Sequence, residues 1–187
     1  KMEGYSVVDE LQCDVDYDTM AQLINKAEKP LILAGFGVRS GQATNELKLL
    51  SRKMQAPVVT SRGGIDVIES DNEWFVGRPG AYGDRASHFA IQQCDLLLIL
   101  GSRLSVSTIG YYPQRLAEKA TKIMVDIDEK ELAKEDVPVD YKYNIDVKTF
   151  MSKLLEMLPE KVPEKRNAWK LHCQEMRKQY PNVKEEY

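Results

Sequence analysis

Three short stretches of this sequence carry the residue types that bind phosphates and sugars. Gly35-Phe36-Gly37-Val38-Arg39-Ser40-Gly41 would let backbone approach a phosphate or an adenosine closely, at the start of a helix. Gly101-Ser102-Arg103 offers a cation that can face a phosphate or a flavin. Asp126-Ile127-Asp128 offers a carboxylate that can accept from ribose hydroxyls. Each stretch also has a plainer use. The first departs from the dinucleotide fingerprint, because its third glycine comes one residue late, and a tight strand-to-helix turn needs glycine too. Arg103 can form an ion pair across loops. Asp128 with Glu131 makes a capping-box pattern, which leaves Asp126 as the better ribose candidate. Asp146 reads first as a helix cap.

Catalytic and metal-binding sets are sparse. His88 and His172 are the only histidines, and neither has a nucleophile or acid at a spacing that argues for a base. Both are expected on the surface or in packing. Cys13, Cys94 and Cys173 are odd in number and widely spaced, with no CxxC pair, so neither a zinc site nor a disulfide framework is expected. Cys94 precedes an apolar run and is expected to pack as a small apolar residue. Asp14, Asp16 and Asp18 resemble the start of a calcium loop but lack its glycine and terminal glutamate. They read as a solvated helix start.

The elements that must position these stretches are legible. Leu31–Ala34, Ala56–Thr60, Leu96–Leu100, Ile123–Val125 and Tyr141–Tyr143 read as strands, and each ends in a polar or Gly-rich loop. Between them lie helical faces. Tyr17, Met20, Ile24 and Ala27 mark one, capped by Asp16 or Asp18. Ala43, Leu47, Leu50 and Met54 mark the next, then Arg85 to Gln93, Glu129 to Lys134, and a clean face at Val147, Phe150, Met151, Leu154, Leu155 and Leu158. Residues 62–84 are loop-rich, with a short strand at Trp74-Phe75-Val76. Residues 104–121 carry no clear pattern beyond Pro113, which starts or breaks a helix. The alternation predicts an α/β fold: an open, mostly parallel, five- or six-stranded Rossmann-like sheet of nucleotide-binding type, with helices on both faces. Ligands bind such sheets outside the carboxyl ends of the strands, where the three stretches lie. Leu96–Leu100 is the most apolar run and predicts a central strand buried on both faces.

The 187 residues suit one domain with appended segments. Net charge is −3 and the pI about 5.6, with no basic face, so nucleic acid is not an expected partner. The longest apolar run is too short to span a membrane. Lys1, Glu3, Asp9 and Glu10 are followed by no apolar stretch, so no signal peptide is expected. Cysteine usage fits a reducing cytoplasm. Both ends read as cut from a longer protein. Residues 1–17 are expected to be a linker, 18–158 an α/β domain, and 159–187 a second linker. In that last segment Trp169, Cys173, Met176 and Tyr180 form a helical stripe that should pack on something, a neighbouring domain being one candidate.

The blocks Lys29–Val38, Ala56–Thr60, Gly77–Gly83, Cys94–Arg103 and Ile123–Asp128, in this order and spacing, resemble the central domain of thiamine-diphosphate-dependent enzymes of the acetolactate synthase type. The resemblance covers residues 18–158. It implies a three-domain parent, dimeric or tetrameric, that decarboxylates a 2-oxo acid and ligates the product to a second carbonyl. In that parent the first domain supplies the glutamate that activates the thiazolium. The last domain binds thiamine diphosphate and Mg2+ through a Gly-Asp-Gly motif followed by an asparagine. Gly83-Asp84-Arg85 does not match that motif, so no catalytic residue is expected here and the fragment alone should be inactive. The central domain of relatives holds FAD or ADP, or nothing. Carried over by position, Gly35, Gly37, Val38, Gly101, Ser102, Arg103, Asp126 and Ile127 match the adenine-nucleotide loops. Flavin-binding members continue Gly-x-Arg with an aromatic, two acids and an arginine, where this chain has Leu104-Ser105-Val106-Ser107. Their Gly-Asp before the last helix is Ile145-Asp146 here. Two other readings stay open: a self-standing NAD-binding enzyme similar in sheet type to deoxyhypusine synthase or sirtuins, and an interaction module built on Trp169 and Tyr180.

Overall fold

The computed structural model describes residues 14–159 and 163–181. Six strands form one sheet: β1 (Pro30–Ala34), β2 (Val58–Thr60), β3 (Phe75–Gly77), β4 (Leu96–Leu100), β5 (Thr121–Asp126) and β6 (Tyr141–Asn144). All neighbours run parallel, in the order β3-β2-β1-β4-β5-β6. The chain steps outward from β1 to β3, crosses to the other side of β1 with β4, and steps outward again to β6. The order therefore reverses between β1 and β4, the point where open α/β sheets leave a crevice.

β1 and β4 are buried along their whole lengths, as a central pair covered on both sides must be. Their side chains alternate between two cores. Ile32, Ala34, Leu96, Leu98 and Leu100 pack with α1 (Tyr17–Lys26), α3 (Thr44–Met54) and α7 (Val147–Met157). Leu31, Leu33, Leu97 and Ile99 pack with α4 (Arg85–Gln93) and α8 (Lys165–Gln179). Three shorter helices follow strand ends: α2 (Phe36–Ser40), α5 (Val106–Ile109) and α6 (Glu129–Leu132). The glycine run after β1, expected as a loop, is thus largely a helical turn. Among the described residues no helix is long and apolar enough to cross a membrane.

The caps follow the sequence closely. Asp16 accepts from the Thr19 amide at 2.9 Å and starts α1, and Asp146 accepts from the Thr149 amide at 2.9 Å and starts α7. At α6 the capping box is only half formed. Asp128 accepts from the Lys130 amide at 3.0 Å, but Glu131 turns instead to Lys134 and Arg103. The Asp128 amide donates to Asp126 Oδ1 at 3.0 Å.

The charged segment after Pro159 contains α8, and its stripe enters the second core: Trp169, Cys173 and Met176 are buried there. Trp169 Nε1 donates to the Pro30 carbonyl at 2.9 Å. Arg166 is 1 % exposed and donates to three main-chain carbonyls, those of Ile24, Ala27 (2.9 Å) and Met54 (2.8 Å). These carbonyls end α1 and α3. That of Ile24 also accepts from the Ala27 amide at 3.2 Å, while those of Ala27 and Met54 lie where a helix runs out of donors of its own.

Candidate functional site

The crevice between β1 and β4 is closed by backbone. The Gly35 amide donates to the Leu100 carbonyl at 2.8 Å, and the Gly37 amide to the Gly101 carbonyl at 2.9 Å. A Cβ on Gly35 would lie 2.1 Å from the Gly101 oxygen, and one on Gly37 would lie 2.6 Å from the Gly101 Cα. Gly101 has φ +56°, the left-handed region that favours glycine. The glycines therefore let two strand-end turns touch. Val38 follows them into the first core and is fully buried.

The side chains beyond this contact face outward around the next strand end. Ser102 is buried, while Arg103 is 76 % exposed with Nε 3.6 Å from Glu131 Oε1. Leu104 follows with φ +50°, a strained conformation for a branched residue. Asp126 is buried at the end of β5. Burial pushes its carboxyl pKa up, and the nearby Glu131 and Asp128 charges act in the same direction. Ile127 beside it is exposed. Asn144 Nδ2 donates to the Asp126 and Ile127 carbonyls at 3.1 and 2.9 Å and fixes this turn. The sequence offered no sign of that role, because a lone polar residue at a strand end has many uses.

A cavity of about 480 Å3 opens beside these turns. Leu104, Val106, Met124 and Val137 give it an apolar wall, with Arg103 and Lys134 as cations at its lining and Glu131 and Asp136 as acids. Of the eight residues singled out in the sequence, only Arg103 lines it. Gly35, Gly37, Gly101 and Ser102 gather at the crevice instead, and Asp126 and Ile127 sit on the neighbouring turn.

Neither described cysteine is placed to act as a nucleophile. Cys94 and Cys173 are free and buried, and burial pushes both thiols upward, Cys94 to about 12. Such thiols stay protonated and inert. His88 Nε2 contacts the Gly80 carbonyl at 3.0 Å and braces the loop after β3, while His172 meets Gln93 at 3.0 Å. No three His, Cys, Asp or Glu side chains among the described residues converge on a metal position, those of Asp14, Asp16 and Asp18 included.

Residues 17–154 match the family described as thiamine pyrophosphate enzyme, central domain. The chain belongs to this family. It is 28 % identical over 159 residues to the acetolactate synthase isozyme 2 large subunit of Escherichia coli, covering 85 % of this chain and 28 % of that one. It is 32 % identical to a probable acetolactate synthase large subunit of Methanocaldococcus jannaschii, covering 84 % and 26 %. It is 35 % identical over 141 residues to an acetolactate synthase of Mycobacterium bovis, covering 74 % and 22 %. The chain thus spans about a quarter of the length of these relatives. Thiamine diphosphate with a divalent cation finds no donor set among the described residues of this central domain, so no step of its chemistry is placed on them. The cavity beyond β4 is different: its apolar wall meets two cations and two acids, Arg103 and Lys134 with Glu131 and Asp136.

Proposed function

We propose that this chain is the central domain of an acetolactate synthase-like enzyme whose whole chain decarboxylates a 2-oxo acid and joins the product to a second carbonyl. Thiamine diphosphate, with Mg2+, supplies the carbanion chemistry when bound elsewhere in that parent. The parent is a homodimer or homotetramer working in the cytoplasm. Within it this domain binds an adenine nucleotide, ADP or the ADP half of FAD, beyond the ends of β4 and β5. The cavity lined by Arg103, Leu104, Val106 and Met124 carries this reading. Arg103 pairs with the phosphates, its guanidinium being exposed and held among the described residues by a single long ion pair, to Glu131 at 3.6 Å. Asp126 and Ile127 shape the turn that meets the ribose. The glycines at 35, 37 and 101, with Val38 and Ser102 behind them, hold the two turns together so that Arg103 projects outward.

The test is calorimetric titration of the 187-residue chain with ADP, FAD and NAD, with thiamine diphosphate plus Mg2+ as control. ADP or FAD should bind, and Arg103→Ala should weaken that binding about tenfold, the scale of one charge-assisted contact. Heat with NAD alone would favour the self-standing NAD enzyme. No heat with any nucleotide would remove the binding role and leave a scaffold domain.

A further inference from the structure

A second cleft, of about 290 Å3, lies at the other end of the sheet, beyond β3. It is enclosed by the Gly77-Arg78 turn, the first turn of α4 and the last turn of α8. Arg78 and Arg177 both line it, their guanidinium carbons 5.4 and 5.2 Å from the centre of the Phe75 ring. A third arginine, Arg85, stands at its margin over the ring of Tyr180, at 5.7 Å. None of the three appears in any ion pair among the described residues.

Their hydrogen bonding is incomplete. Among the described residues Arg78 Nε, which is buried, has no partner, and Nη2 reaches Ser70 Oγ at 3.4 Å. Arg177 donates to the carbonyls of Phe75 (3.0 Å) and Ser70 (2.6 Å), which are neutral acceptors. Among the described residues the one carboxylate lining the cleft is Asp84. Its Oδ2 accepts from the main-chain amide of Arg78 at 2.5 Å, and it makes no cap to α4 although it stands at the N-cap. The first turn of α4, with Ala86 on the cleft wall, therefore adds the positive end of a nine-residue helix without a side-chain cap. Among the described residues, two lining arginines and Arg85 at the margin stand against one aspartate around a concave space, where the field is focused.

We propose that this cleft binds a phosphate oxyanion, free or as the phosphate end of a small metabolite, with Arg78 and Arg177 as its ligands. Guanidinium forks match phosphate in geometry and charge, and Arg78 and Arg177 both line the cleft. The site is separate from the cavity beyond β4 and does not depend on the nucleotide reading.

The experiment is titration of the 187-residue chain by calorimetry with inorganic phosphate, and in a second arm with glycerol 2-phosphate as a phosphate monoester. Saturable binding that weakens as sodium chloride rises is expected. Equal affinity in both arms means that the oxyanion alone is read. Preference for the ester means that the cleft takes a metabolite. Arg78→Gln should lower affinity about tenfold or more, and Arg78→Lys should restore only part of it. Arg85→Gln is an exposed change that leaves the fold intact, and it should lower affinity a few-fold. Absence of saturable binding, or unchanged affinity in both Arg78→Gln and Arg85→Gln, would overturn the proposal.

Discussion

The carboxyl edge of this sheet is built in two ways within one strand spacing. Between β1 and β4 the turns meet backbone to backbone, with Gly35 and Gly37 against Gly101 and no side chain between them. Beyond β4 and β5 the same edge carries side chains: Arg103 projects into solvent, Leu104 is held at φ +50°, and an apolar-walled cavity opens. The glycines look like binding residues in sequence, yet in the fold they serve contact between two turns. Their contribution is to position what lies next to them. A strand-end glycine argues for close approach, and the approaching group can be the protein itself.

That contrast is broken most severely by adding one methyl group. Gly35→Ala places its Cβ 2.1 Å from a carbonyl oxygen of the neighbouring turn, and neither backbone has room to retreat without disturbing the β1–β4 pair. Overpacking of this kind costs about 3 kcal/mol. Gly101→Ala meets Gly37 at 2.5 Å and adds left-handed strain. Urea unfolding should show both variants strongly destabilised. Near-native stability for Gly35→Ala would mean that the crevice is open in solution and available to a ligand.

A comparison of two arginines sharpens the same point. Arg166 lies at the amino edge, buried, with three carbonyls as partners, and desolvation there lowers its pKa. Arg166→Met keeps much of the volume but leaves carbonyls at the ends of α1 and α3 without their donor. The expected loss is about 2 kcal/mol, since an unsatisfied buried group costs about 1–3 kcal/mol. The same unfolding measurement checks it. A loss smaller than that of Arg103→Ala would sink the assignment of Arg166 to the fold and Arg103 to a ligand.

The sequence shows these two arginines unequally, and the reason is physical. Arg103 follows the most apolar strand, so its place at a strand end is written in the local pattern. Arg166 sits in a charge-rich stretch, and its partners are main-chain carbonyls more than a hundred residues away, which no local pattern encodes. The strands and the helices with full apolar faces were legible because burial on one or two faces imposes a period. The five-residue α2 and four-residue α5 were not, since neither is long enough to show a helical period. The stripe of Trp169, Cys173 and Met176 was visible as a helix face, but its partner, the second core of this same sheet, is a tertiary fact. The cavity was hidden for the same reason, being assembled from Leu104, Met124 and Val137 on three separate elements.

Asp126 offers a subtler test of the open edge. Its carboxyl pKa is raised in the fold by burial above the ordinary 3.8. Between the two values the folded state holds more protons than the unfolded one, so stability falls as pH rises through the folded pKa. At neutral pH the charged, buried form is a net burden. Asp126→Asn removes that charge while its side-chain oxygen can still accept from the Asp128 amide. The variant should be modestly more stable than the parent at pH 7, with the difference closing as pH falls toward 3.8. Thermal unfolding from pH 4 to pH 8 reads this directly. A variant equal to the parent at every pH would mean that Asp126 is solvated and not tucked under the β5 turn.

The smallest structural effect belongs to Arg103, and that smallness is the argument. Its side chain is 76 % exposed, and its ion pair among the described residues is a long one, 3.6 Å to a Glu131 side chain that is 12 % exposed, so with the arginine in solvent the pair contributes little, on the order of 1 kcal/mol. Arg103→Ala should therefore shift the urea midpoint within about 0.5 kcal/mol of the parent. Glu131 keeps its second partner, Lys134, so the substitution does not strand a charge. If nucleotide affinity falls about tenfold while stability stays put, the residue acts on a ligand and not on the fold. If stability falls by as much as affinity, the exposed guanidinium is holding the β4 and β5 turns together. The open edge would then be locked in its own way, and the difference between the two regions would be one of degree.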